Sequence, residues 1–332
     1  MISFFDVFLT VIFLLVLAIP GFIFAKTKMF PKSASETLTV IVLYGCQPIL
    51  IFTSFQGYAF NASIAVNMLI VACIAIVIHL LMFLIVKLAF MKWNALEKVK
   101  LVKYLSVFSN CGFMGLPFLQ SLFTDASLQA ELVIYCAVIL AVFNILNWTF
   151  GVYIITGEQK EISVKKVLLN PVIIAVVLSL AVFFIMQKPL IEMAEAGTIA
   201  YKFLTKLMST LNFLSNMVTP LAMFVIGVRL ANVGFKALFT DAWAYAATAT
   251  KLLVMSFLTM LIVAYLPIAS TIKYTIFFLL SMPSATSGAM MAVQYGKDSD
   301  FASVCVVLST IISIVTLPLM YLFMNGVLGV AI

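Results

Sequence analysis

Nearly every long stretch of this chain is a run of 18 or more mostly apolar residues, the length a helix needs to cross the hydrocarbon of a bilayer. Two of these runs are interrupted at matching places in the two halves. They read Ser109-Asn110-Cys111-Gly112-Phe113-Met114-Gly115-Leu116-Pro117 and Ser281-Met282-Pro283-Ser284-Ala285-Thr286-Ser287-Gly288. Inside hydrocarbon, irregular backbone survives only where protein buries it or where it lines a wet cavity. A broken span repeated once per half points to the substrate site of a secondary transporter.

Composition agrees with a membrane setting. The chain is 65% apolar and 9% charged, against about 45–50% and about 25% for soluble domains. The longest polar stretches, 157–166 and 187–206, are loop-sized, so a polytopic membrane protein without a soluble domain is expected. The net charge of +7 sits in short loops, where it reads as a topology signal and not as a nucleic-acid surface. Cys46, Cys73, Cys111, Cys136 and Cys305 lie in apolar runs without CxxC spacing. They behave as small hydrophobes, so neither disulfide, metal site nor cofactor is expected. The N-terminus lacks a positive n-region and a cleavage site, and reads as a retained first helix.

The apolar runs predict an all-α protein with ten spans, at roughly 3–25, 37–56, 64–90, 101–122, 130–155, 168–186, 207–230, 239–266, 272–295 and 301–328. Fourteen Lys and Arg fall in the loops on one side and four on the other. The richer side is then cytoplasmic, with both termini outside the cell membrane. Gln47-Pro48 and Thr219-Pro220 are related by an offset of 172, and Pro117 and Pro283 by 166. Two ordered matches at nearly one offset predict an inverted repeat of five plus five spans. The first unit covers 1–155, a short cytoplasmic linker 156–167, and the second unit 168–332.

A proline at the first helical position gives up no needed N–H, so Pro117 and Pro283 are expected to start second half-helices. Their N-termini would meet mid-membrane with unpaired N–H groups and positive dipole ends, a setting for an anion. Ser109, Asn110, Ser284, Thr286 and Ser287 would add donors, while Gly112, Gly115 and Gly288 let backbone approach closely. Pro20, Pro48, Pro220 and Pro318 read as kinks or packing features. His79 and Lys251 are the ionisable residues placed within spans, again 172 apart. Lys251 is expected either to tether exposed carbonyls or to balance substrate charge, and His79 to pack as a neutral, hydrogen-bonded ring. Asn144 and Asn147, with Trp148, turn a polar face inward. Interhelical hydrogen bonding accounts for these as readily as substrate contact, and the same holds for Gln47, Asn216 and Thr219. Every carboxylate is assignable to a loop or helix end, which argues against proton exchange by a buried acid pair.

The stretch Asn110 to Pro117 resembles the fourth-span crossover of the auxin efflux carrier family. Met282-Pro283 with Gln294-Tyr295-Gly296-Lys297-Asp298, Ser309-Thr310 and Leu317-Pro318 resembles its last two spans. Ala222-Met223-Phe224 with Gly227, and Asn170-Pro171, resemble its seventh and sixth. The resemblance implies ten helices, with the fourth and ninth broken and crossing. It also implies a dimer through a scaffold of spans 1, 2, 6 and 7, elevator movement of the others, and substrate contact at Asn110. Bacterial members resemble permeases for malate and related carboxylates. The short link at 157–166 and the absence of an acidic residue in the third span set the chain apart from the large plant carriers.

The expected function is therefore a secondary transporter of a small organic anion, a mono- or dicarboxylate. The alternative is a sodium- or proton-coupled symporter of an amphipathic anion. One histidine, no HExxH and no paired mid-membrane carboxylates speak against an intramembrane protease. The loops are too short for a receptor's signalling domain.

Overall fold

The computed structural model describes residues 3–328 apart from 32, 58 and 235. Met1 and Ile2, part of the N-terminal reading, and Lys32, one of the loop cations, lie outside the described residues. Among those described, eight helical stretches are long and apolar enough to cross a membrane. The helices are α1 (Phe4–Lys26), α2 (Ala34–Phe55), α3 (Ala62–Ala89), α4 (Glu97–Val107), α5 (Cys111–Leu122), α6 (Leu128–Thr156) and α7 (Pro171–Met186). They continue with α8 (Ile199–Asn216), α9 (Val218–Asn232), α10 (Ala242–Tyr265), α11 (Ser270–Ser281), α12 (Ser287–Gln294) and α13 (Ser299–Leu328).

The expected fourth and ninth spans are each two helices, α4–α5 and α11–α12. The seventh differs more. Residues 199–206, expected as loop, already belong to α8, because Thr198 caps it by accepting a hydrogen bond from Tyr201 N at 3.2 Å. α8 then meets α9 at Met217.

The interrupted segments lie at the centre of the molecule. Every residue from Val107 to Leu119 is buried, as is every one from Tyr274 to Ala289. α6 packs alongside them with 83% of its apolar window covered, whereas α1 covers only 28% and turns Phe5, Phe13 and Ile19 outward. α1 crosses α9 at glycine contacts. A Cβ on Gly227 would lie 2.0 Å from Ala18 O, and one on Gly21 would lie 2.5 Å from Phe224 O.

Four helices contain a π turn: Ile41–Cys46 in α2, Cys111–Gly115 in α5, Asn147–Gly151 in α6 and Thr250–Met255 in α10. Such turns are rare and concentrate at functional sites. The first two run directly into a proline-bearing turn, at Pro48 and Pro117. At the start of the second, Asn110 O accepts from both Met114 N at 3.1 Å and Gly115 N at 3.0 Å, the donors four and five residues on.

Candidate functional site

The two breaks pair with each other. Ser109 and Ser284 form an isolated antiparallel bridge, closed by Asn110 N donating to Pro283 O at 2.8 Å and Ala285 N donating to Phe108 O at 2.9 Å. Backbone groups freed by interrupting two helices are thereby satisfied by one another, deep in protein.

Local sequence explains one break only. Met282 is extended, with φ −56° and ψ 154°, as a residue before proline prefers to be. Pro283 therefore terminates α11 and does not begin α12, which starts at Ser287. The first break contains neither Pro nor Gly. Phe108 is extended at φ −86° and ψ 124°, and its conformation is held by pairing with 283–285. Pro117 lies inside α5, beyond the π turn, and not at its start. Neither proline thus starts a half-helix as expected, and the offset of 166 between them gives way at the crossing to 175, the separation of Ser109 and Ser284.

Side chains brace the crossing from below. Ser109 Oγ donates to Leu280 O at 2.7 Å, and Ser284 Oγ donates to Leu105 O at 2.9 Å. Ser284 N donates to Ser309 Oγ of α13 at 3.1 Å. Lys251, fully buried on the α10 π turn, donates through Nζ to Ser109 Oγ and, at 2.9 Å, to Leu280 O. A cation at a helix C-terminus is electrostatically favourable. Lys251 is thereby bonded to a carbonyl near the end of α11. His79 hydrogen-bonds through Nδ1 to Ala75 O at 2.7 Å and lies with its ring 6.0 Å from that of Phe108.

Above the crossing lies a small cavity of about 30 Å³. Of the expected site residues, Ser109, Asn110, Gly112, Thr286, Ser287 and Asn144 line it together. Gly115, Pro117, Pro283, Ser284, Lys251 and His79 do not; they shape or support the crossing. Gln47, Asn147 and Asn170 join the polar wall, and Tyr44, Phe113, Leu140, Phe143, Trp148 and Met290 supply the apolar one. Three of the four π turns contribute to it. Among the described residues lining this cavity, Tyr44 alone is ionisable.

Most of the polar side chains here are occupied. Thr286 Oγ1 donates to Asn110 Oδ1 at 2.9 Å, Tyr104 OH donates to Asn147 Oδ1 at 2.5 Å, and Asn170 Nδ2 donates to Asn144 Oδ1 at 3.2 Å. Asn144 and Asn147 therefore do bond between helices, as well as lining the cavity. Asn110 Nδ2 is buried and has no hydrogen-bond partner among the described residues. Gly112 lets Gln47 close in, since a Cβ there would lie 2.6 Å from Gln47 Nε2. Gly288 does the same for α4, where a Cβ would lie 2.6 Å from Leu105 Cδ2.

Arg229, a loop cation by the sequence count, is only 5% exposed within α9. It lines a second cavity, of about 490 Å³, with Glu36 and Asp300, and Met290 borders both this cavity and the first. The signal for its burial is present in the sequence, since Arg229 falls inside the predicted seventh span.

A family model described as "Membrane transport protein" matches residues 6–166 and 160–321, nearly the whole chain. The chain belongs to this family, that of the auxin efflux carriers. It is also 26% identical over 313 residues to an "Uncharacterized transporter" of Methanothermobacter thermautotrophicus, covering 93% of this chain and 96% of the relative. As a member of the auxin efflux carrier family it is a multi-pass membrane transporter.

Proposed function

We propose that the chain is a secondary transporter of a small organic anion, a mono- or dicarboxylate such as malate, bound in the cavity above the crossing. The observation that carries this reading is the unpartnered Asn110 Nδ2 on a cavity wall at the N-terminus of α5. An unsatisfied buried donor costs about 1–3 kcal/mol, and a carboxylate oxygen removes that cost. The same oxygen meets the positive dipole end of α5, while Ser287 offers a hydroxyl at the start of α12. With polar groups gathered at the crossing and Phe143, Trp148 and Met290 opposite, the site anchors one carboxylate and, once the cavity widens from its closed volume of about 30 Å³, packs the remaining body against apolar walls.

The reciprocal serine contacts support a five-plus-five inverted repeat centred on Ser109 and Ser284. Alternating access follows as an elevator-like movement of the crossed helices against a scaffold of α1, α2, α7, α8 and α9 in a homodimer. The lysine-rich end is the cytoplasmic one. The deciding experiment is a thermal-shift screen of purified protein against small carboxylates, followed by uptake in proteoliposomes. A ligand at 100 times its Kd adds about 2.7 kcal/mol of apparent stability. Absence of any carboxylate-induced shift, together with absence of uptake, refutes the reading.

A further inference from the structure

The cavity above the crossing adjoins a wider opening of about 500 Å³. The two share Tyr44, Trp148 and Asn170, and the opening adds Lys165, Lys166 and Gln294. Its charged wall is of one sign, with no carboxylate. The other neighbouring cavity, reached past Met290, opposes one cation, Arg229, to two anions, Glu36 and Asp300. Two routes of similar position thus differ in the field they present to a negative solute.

We propose that Lys165 and Lys166 form an anion-collecting mouth for the crossing cavity. Both belong to the short helix Val164–Leu168, whose cap Ser163 accepts from Lys166 N at 3.4 Å. Lys166 Nζ is held 5.5 Å from the centre of the Tyr295 ring, a cation–π contact that fixes the charge near the opening. Four residues on, Asn170 caps α7 through Val172 N at 2.9 Å and donates to Asn144 in the cavity wall. Asn170 lines both the opening and the cavity, so the lysines stand at the cavity's edge, and a mouth of one sign with low-dielectric walls concentrates ions of the other. A topology signal alone requires cations on this side of the membrane. It does not require them at the opening or without neighbouring acids.

The anion-transport reading supplies the identity of what enters; the field is measurable without it. Gln294→Cys, in a chain carrying Cys73→Ser to remove the exposed native thiol, is reacted with anionic and cationic methanethiosulfonates. Lys165→Gln with Lys166→Gln lowers the anion-to-cation rate ratio by about threefold to tenfold at low salt, an effect that shrinks in high salt. Lys160→Gln, which removes a cation from the same linker but away from the opening, leaves the ratio unchanged. An unaltered ratio in the double variant, or an equal fall with Lys160→Gln, overturns the proposal. In proteoliposomes the double variant raises KM for malate by a similar factor with the maximal rate retained. A wild-type protein that shows the field but takes up neither malate nor another small carboxylate sinks the transport reading and leaves the mouth standing.

Discussion

Ser109 and Ser284 face each other as an antiparallel backbone pair, and each hydroxyl donates to a carbonyl near the end of the helix entering the other's break: Leu280 O for Ser109, Leu105 O for Ser284. Leu105 precedes Ser109 by four residues, and Leu280 precedes Ser284 by four, so the two contacts are copies of one arrangement. They are unequal in one respect. Ser109 Oγ also accepts from the buried Lys251 Nζ, and Ser284 has no such cation. Ser284→Ala is expected to cost about 1–3 kcal/mol, the range for stranding a buried polar group. Ser109→Ala is expected to cost more, because Lys251 loses an acceptor as well. Thermal unfolding of the two purified variants measures the difference, and a Ser109→Ala protein as stable as Ser284→Ala refutes the coupling to Lys251.

Asn110 separates binding from folding. Its backbone holds the crossing, through its N–H on Pro283 and its carbonyl on Met114 and Gly115, while its side-chain Nδ2 has no partner among the described residues. Asn110→Ala keeps every backbone bond and loses the Thr286 contact, worth about 0.5–1.5 kcal/mol. It is expected to fold and to lose most of its carboxylate-dependent thermal shift. Asn110→Asp replaces the donor with a second acceptor of the substrate's own sign and is expected to lose the shift altogether. A folded Asn110→Ala protein with wild-type uptake refutes the assignment of this side chain to substrate.

The crossing is legible in the sequence in outline and displaced in detail, for a reason that Phe108, Ser109 and Asn110 make plain. Prolines announce that a span is irregular, and at Met282-Pro283 the irregularity is where the proline puts it. At Phe108–Asn110 nothing local breaks a helix, and the break is imposed by residues far along the chain. No single-segment reading reaches it. The π turns are hidden for the same reason: only Ile41–Cys46 and Cys111–Gly115 adjoin a proline, and Asn147–Gly151 and Thr250–Met255 carry no mark in sequence. Asn110, Thr286 and Ser287 are legible because a polar side chain beside a break in an apolar run is costly unless a cavity or a partner receives it. Gln47 and Asn147 read equally well as interhelical glue, and Asn147 accepts from Tyr104 while lining the cavity. Asn170, legible only as the residue opening the sixth span, turns out to cap that helix and to reach the cavity wall as well.

Glu97 ties the start of α4 to the turn after α12, accepting from Lys100 Nζ at 2.6 Å and from Lys297 Nζ at 2.5 Å. Hydrogen bonds from Lys100 and then Lys297 hold its carboxyl below the usual range. A carboxylate whose pKa falls on folding stabilises the protein above its unfolded pKa, and this contribution is lost as pH drops through the folded value. The group is largely exposed, so the contribution is at most about 1 kcal/mol. Glu97→Gln is therefore expected to lower the melting temperature slightly at neutral pH and to match wild type once acid has protonated Glu97 in both states. A difference that persists undiminished in acid removes the ion pairs as its cause.

The α1–α9 crossing offers a test with an internal control. At Gly227 an added methyl would fall 2.0 Å from Ala18 O and 2.8 Å from Phe22 N, both backbone atoms of the facing helix, and neither can swing aside as a side chain would. Overpacking of this kind costs about 1–3 kcal/mol, occasionally more. Gly45 is also helical, on the π turn of α2, but an added Cβ there meets nothing within 4 Å. Alanine is favoured over glycine within a helix by about 0.5–1 kcal/mol, so Gly45→Ala is expected to be neutral or stabilising while Gly227→Ala is destabilising. The helix-propensity gain is common to both, so the gap between their melting temperatures isolates the cost of forcing α1 and α9 apart. If Gly227→Ala melts with Gly45→Ala, the two helices are free to separate and their backbone contact contributes nothing to the fold.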